Sequence, residues 1–350
     1  MVNTPVVIRG LKEIVDKYDV FLLDQFGVLH DGANPIPGAV DALKLLKDKN
    51  KSMVVLSNTS SRAYVAAKKF IKMEFPDFNI PFVTSGELAW YYLDERFRGK
   101  KCTWITWRRH ESDKYLNSLN ISLASIEEAD FLFFHGTQTI ASNDDPAAAS
   151  DVQLSLFYNG QIDFSMMEVL KIAQSRKIPA ICANMDFSAM LANGKLAYMP
   201  GILKREYEMM GGEVVCFGKP QKDFFEEAIG LGTKAFLKDN NDNEMNLSSS
   251  LAKKKRVRVI HVGDSLHHDI AGAAAAGIDS LLITQHGVHR EDLLEEETNQ
   301  SISAMPSFIT HCNDAVEAAV EVPPLLMRVT DICDRLQVAR PYFILRSFAV

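Results

Sequence analysis

Residues 20–32 read VFLLDQFGVLHDG. Four apolar residues, Val20–Leu23, run into a carboxylate, Asp24, and then into a turn built on Gly27. A short apolar run bounded by a turn signal is the pattern of a strand buried on both faces. An acid at the tip of such a strand stands where the chain leaves the sheet, and in open parallel sheets that is where ligands bind. Two positions on stands Phe26, an aromatic residue where a site built for proton transfer would place a second acid.

Outward from this stretch the pattern alternates. PIPGAVDALKLLKDKNK (35–51) puts Ala39, Leu43 and Leu46 on one helical face. SMVVLSNTSSR (52–62) is a second apolar strand, ending in Ser57-Asn58-Thr59. Strand, helix, strand with short connections is a βαβ unit and predicts a parallel sheet. A second α/β pattern starts near residue 82. Its first helix, TSGELAWYYLDERF (84–97), has Thr84 or Ser85 as N-cap and Glu87 in its first turn. KCTWIT (101–106), ADFLFFHG (129–136) and PAICANMD (179–186) read as its strands. The first pattern resumes with EVVCFGKP (213–220), a helix KDFFEEAIGLG, the strand RVRVIHVGDS (256–265), the helix DIAGAAAAG and the strand DSLLIT. The polar stretch from Leu237 to Arg256 reads as a surface insertion, and its basic run Lys253–Arg256 as a solvated lead-in to the next strand.

Composition bounds the function. The chain has 350 residues, 47% of them hydrophobic, enough for one large or two modest cores. A net charge of −7 argues against nucleic acid as partner. Five cysteines (102, 182, 216, 312, 333), odd in number and without CxxC spacing, argue against a disulfide framework or zinc site and for a reducing, cytoplasmic setting. The N-terminus lacks a signal-peptide core, and no apolar run approaches the ~20 residues that span a membrane. The C-terminal PYFILRSFAV reads as a docking tail.

Four strand ends carry chemistry: Asp24, Ser57, Lys219, and Asp264 with Asp269. Each has an ordinary structural reading, as a turn former, a helix cap or a surface charge. Four in order on separate strands define a site for phosphoryl transfer. Asp24 would attack phosphorus. Ser57 and backbone N–H groups after Asp24 and around Asn58 would hold phosphate oxygens, and Lys219 would supply positive charge. Asp24 and Asp264 repel unless a hard cation such as Mg²⁺ lies between them. Asp269 would hold a metal-bound water or steady Lys219.

LLDQFGVLHDG, VVLSNTSSR, GKP and VGDSLHHDIAGAAAAG resemble, in order, the four motifs of the haloacid dehalogenase (HAD) superfamily, and the third and fourth resemble its class IIA, NagD-like or p-nitrophenyl phosphatase branch. The resemblance runs from about Tyr18 to His289. It implies an α/β fold: a doubly wound parallel-sheet core from residues 1–82 and 200–350, with an α/β cap, 83–199, inserted between the second and third motifs. The spacing agrees, since 57 − 24 = 33 positions hold one helix and 219 − 57 = 162 hold a domain. CANMDF resembles the family's Asn-x-Asp turn, which makes Asn184 and Asp186 candidate substrate-side or hinge residues; a plain Asx turn explains the same letters.

The resemblance implies a Mg²⁺-dependent phosphohydrolase acting on a small phosphorylated metabolite through an aspartyl phosphate. It allows a cap-mediated homodimer and leaves the oligomeric state open. Asp24, Asp264, Asp269 and the Phe26 carbonyl are the expected metal ligands. Phosphatases of this family usually carry a second Asp where Phe26 stands, so alkyl phosphates should be slow substrates; His30 and Asp31 are the nearest replacement acids in sequence. Two alternatives remain: a phosphate- and metal-binding regulatory module with little catalysis, and a 2-haloacid dehalogenase, against which the cap position speaks.

Overall fold

The computed structural model describes residues 4–108, 114–144, 151–244, 256–294 and 324–350. Two sheets organise the chain. The strands are β1 (Val6–Val7), β2 (Val20–Leu23), β3 (Ser52–Ser57), β4 (Phe82–Thr84), β5 (Lys101–Thr106), β6 (Ser122–Leu123), β7 (Phe131–Phe134), β8 (Thr139–Ala141), β9 (Val152–Gln153), β10 (Ala180–Cys182), β11 (Ser188–Met190), β12 (Leu196–Tyr198), β13 (Val214–Cys216), β14 (Val259–Gly263), β15 (Asp279–Ile283) and β16 (Phe343–Leu345). The first sheet is parallel throughout, in the order β1-β16-β15-β14-β2-β3-β4. The second follows β13-β10-β7-β5-β8-β9, with β6 on β5, and β11 and β12 form a separate antiparallel hairpin.

β2 lies in the middle of the first sheet, and all four of its side chains are fully buried. Alternation along the strand sends Phe21 and Leu23 to one core and Val20 and Leu22 to the other. The first core is closed by helix Ala39–Asp48, which buries Ala39, Ala42, Leu43 and Leu46, an i, i+3, i+4, i+7 stripe. The second is closed by Phe224, Phe225 and Ala228 of helix Lys222–Glu244. Helices on both faces are what an all-parallel sheet needs. The N-cap of helix Ser85–Arg96 is Thr84, whose hydroxyl accepts from Glu87 N at 3.1 Å.

Three expectations need correction. EVVC does not return to the first sheet: β13 pairs with β10 at the edge of the second. β4, at residues 82–84, closes the first sheet. The strands of the second sheet, and the hairpin β11–β12, thus all lie between β4 and the segment that carries Lys219. The surface insertion also starts later, since helix Lys222–Glu244 runs through residues 237–244; residues 245–255 lie outside those described. The C-terminal tail docks as β16, between β1 and β15. Among the described residues no helix is long and apolar enough to cross a membrane.

Candidate active site

Neighbouring parallel strands that end at one level put their next residues side by side. β2 and β14 pair Leu23 with Val262, and Asp24 N donates to Val262 O at 2.9 Å. Asp24 and Asp264 therefore leave the sheet together, and carboxylate oxygens of Asp24, Asp264 and Asp269 lie within 4.8 Å of one another. Lys219, 2% exposed, places Nζ 2.7 Å from Asp24 Oδ1 and 2.7 Å from Asp269 Oδ1. All four line a cavity of about 280 Å³, with Phe26 at its wall and Asp186–Met190 of the second unit facing them. That volume suits a small ligand.

The turn after Asp24 is shaped around Asp264. Gly27 has φ +74°, and a Cβ there would stand 2.5 Å from Asp264 Oδ2. Only a glycine gives both that backbone and that space.

Asp269 is fully engaged. Oδ1 accepts from Lys219 Nζ and from His261 Nε2, each at 2.7 Å; Oδ2 accepts from the backbone N–H of Asp264 (3.2 Å) and Ser265 (3.0 Å). Burial alone would raise its pKa, but Lys219 and His261 outweigh that and hold it below the ordinary carboxylate range. Of its two expected roles, the geometry matches the one that steadies Lys219. Asp24 and Asp264 differ. Burial pushes Asp24 up to about 7 against the pull of Lys219, and burial with the charges of Asp24 and Asp269 drives Asp264 well above the usual range. Two buried, oxygen-only donors that resist ionising together are the donor set a hard divalent cation fits. Lys219 stays charged, because the two aspartates outweigh its burial.

Ser57 ends β3 beside β2, buried, with Oγ accepting from Thr59 N at 3.2 Å; it stands outside the cavity lining. The Asn58 side chain is committed elsewhere: Oδ1 accepts from Lys219 N (2.6 Å), and Nδ2 donates to Lys219 O (3.0 Å) and to Asp186 Oδ1 (2.8 Å). What Asn58 can offer phosphate is its backbone N–H. Asn184 follows the plain reading, with Oδ1 accepting from Asp186 N at 2.9 Å; Asp186 itself reaches the cavity.

The two replacement acids do not reach it. His30 is buried; Nδ1 accepts from Gly32 N at 3.1 Å and Nε2 faces Gln25 Oε1 at 3.4 Å. Asp31 accepts from the N–H groups of Ala33 and Asn34. Burial, reinforced by Lys69, lowers the His30 pKa to about 4. The unfolded chain then binds a proton near pH 6.5 that the folded one refuses. The stability is fully present above pH 6.5 and is lost as pH falls from there through about 4, at a cost of about 2 kcal/mol at pH 5. His30→Asn, whose carbonyl can still accept from Gly32, should flatten Tm against pH between 7 and 4.5. An unchanged slope would assign the acid sensitivity to other groups.

Two histidines escaped the sequence reading. His261 interrupts an apolar strand to bind Asp269, and that interruption was the available signal. His268 is held by Met185 O (3.2 Å) and lies 3.4 Å from Asp186 Oδ1, both in the second unit, a contact no local pattern announces.

A family model described as haloacid dehalogenase-like hydrolase matches residues 21–121, and one described as HAD-hydrolase-like matches residues 216–309. The chain belongs to this family. The second sheet is inserted in the chain between Ser57 and Lys219. A 55-residue segment, 16% of the chain, is 48% identical to a 4-nitrophenylphosphatase of Schizosaccharomyces pombe and covers 18% of it; the chain thus spans under a fifth of the curated relatives it matches. Among solved structures, a haloacid dehalogenase-like hydrolase of Brucella suis shares the fold at 24% identity over 82% of this chain and 92% of that one, TM-score 0.62. A glycerol phosphate phosphatase of Mycobacterium tuberculosis, in complex with magnesium, does so at 19% identity over 81% and 74%, TM-score 0.51.

Proposed function

We propose that the protein is a Mg²⁺-dependent phosphohydrolase of a small phosphorylated metabolite. The observation that carries the reading is the Lys219 ammonium 2.7 Å from Asp24, with Asp264 beside them at the adjoining strand end. Asp24 attacks phosphorus, the bond to the leaving oxygen breaks, and an aspartyl phosphate forms on Asp24. Water then cleaves the acyl phosphate, releasing inorganic phosphate and restoring the carboxylate. Lys219 orients Asp24 and offsets charge on the transferring group, and Asp269 with His261 fixes Lys219. Ser57 and the N–H groups after Asp24 and at Asn58 take phosphate oxygens. Asp24, Asp264 and the Phe26 carbonyl would hold the metal, which would supply Lewis-acid neutralisation of phosphate charge. The mycobacterial phosphatase, solved with magnesium and also with calcium, supports a hard divalent ion.

The test is hydrolysis of p-nitrophenyl phosphate by the purified chain. Activity should require Mg²⁺, vanish in EDTA and return on adding Mg²⁺. Phosphate release indifferent to EDTA would remove the metal from the proposal. Halide release from a 2-haloacid in EDTA would instead establish the dehalogenase.

A further inference from the structure

The scattered cysteines contain a pair. Cys182 and Cys216 stand 216 − 182 = 34 positions apart, yet they are register partners on the parallel strands β10 and β13. Strands so paired lie about 4.8 Å apart, and disulfides span Cα separations of about 4.4–6.8 Å. The environments are unequal. Cys182 is fully buried, with Sγ donating to Asn184 O at 3.1 Å. Cys216, on the edge strand, is only half-buried.

We propose that Cys182 and Cys216 form a two-electron thiol–disulfide site whose partner is a low-molecular-weight disulfide. Cys216 attacks first: Cys182 beside it and Lys204 nearby together hold its pKa below the ordinary thiol value. Its thiolate attacks one sulfur of the small disulfide, whose S–S bond breaks and releases one small thiol. A mixed disulfide remains on Cys216. Cys182, raised by burial, is the resolving thiol. On losing its proton it attacks the Cys216 sulfur and expels the second small thiol. The two protein thiols lose two protons and two electrons, and the oxidant leaves as two thiols.

The site stands apart from the phosphatase chemistry in its test but close to it in the chain. Cys216 precedes Lys219 by three residues and Cys182 precedes Asp186 by four, so the bond would tie together the two segments that bring those residues to the cavity.

The experiment treats the reduced full-length chain with oxidised glutathione, then counts thiols in denaturant and maps linked peptides. The count should fall from five to three, 5 − 2 = 3, with one cross-linked peptide joining Cys182 to Cys216. Cys182→Ser should trap glutathione on Cys216, and Cys216→Ser should keep all four remaining thiols. The proposal is overturned if the wild-type chain loses no thiol, keeps glutathione on Cys216 without the cross-link, or links either cysteine elsewhere. None of these outcomes depends on phosphatase activity.

Discussion

Asp24→Asn should abolish hydrolysis of p-nitrophenyl phosphate, lowering kcat by at least about 10³-fold, while leaving the fold intact. The substitution keeps the shape of the side chain, and Lys219 keeps Asp269 at 2.7 Å. The native carboxylate is costly: burial raises its pKa to about 7. A group whose folded pKa is raised in this way withdraws stability as pH climbs above its unfolded value, 3.8. The metal-free variant should therefore melt no lower than the wild type at pH 8, and higher if the carboxylate is ionised there. Loss of activity with a lowered Tm would mean that Asp24 braces the fold. Retained activity in a folded variant would remove it as nucleophile.

The second large effect runs the other way. Phe26→Asp should raise turnover of alkyl phosphates by about 10²-fold or more and leave aryl phosphates much less changed. General acid–base assistance contributes about 10²–10⁴ in rate, and an aryl leaving group needs it least. Phe26 lines the cavity, so an acid there would face the substrate. The ring now stacks edge-on against His30, centroids 4.7 Å apart, and a Cβ on Gly32 would touch it. The variant gives up that packing, so a stability loss is expected beside the gain in rate. Equal gains on both substrate classes would mean either that another acid already transfers the proton or that Phe26 acts only through packing.

The core and its chemistry were legible because they are local. An apolar run ending in a polar residue reads the same in the sequence and in the sheet, and Asp24, Ser57 and Asp264 each sit at the end of one. The parallel order followed from short strand–helix–strand spacing. What escaped depends on pairing between distant segments. VVC at 214–216 has the letters of any buried strand, and nothing in them says which sheet it joins. The same blindness hid the Cys182–Cys216 register and the contact of His268 with Met185 and Asp186. Phe26 was visible as a departure, but whether His30 could stand in for the missing acid was decided by where its nitrogens point.

Lys219 belongs to one unit by its side chain and to the other by its backbone. Its ammonium is clamped between Asp24 and Asp269 of the first sheet, while its chain descends directly from the edge strand of the second. The Asn58 amide grips its N–H and carbonyl as well. Just upstream, Gly218 has φ +119°, and a Cβ there would stand 2.3 Å from Asn58 Oδ1, so the approach of Asn58 to Lys219 requires a glycine. The same amide donates to Asp186 Oδ1 at 2.8 Å, so one side chain ties the lysine's backbone to the second unit's reach into the cavity.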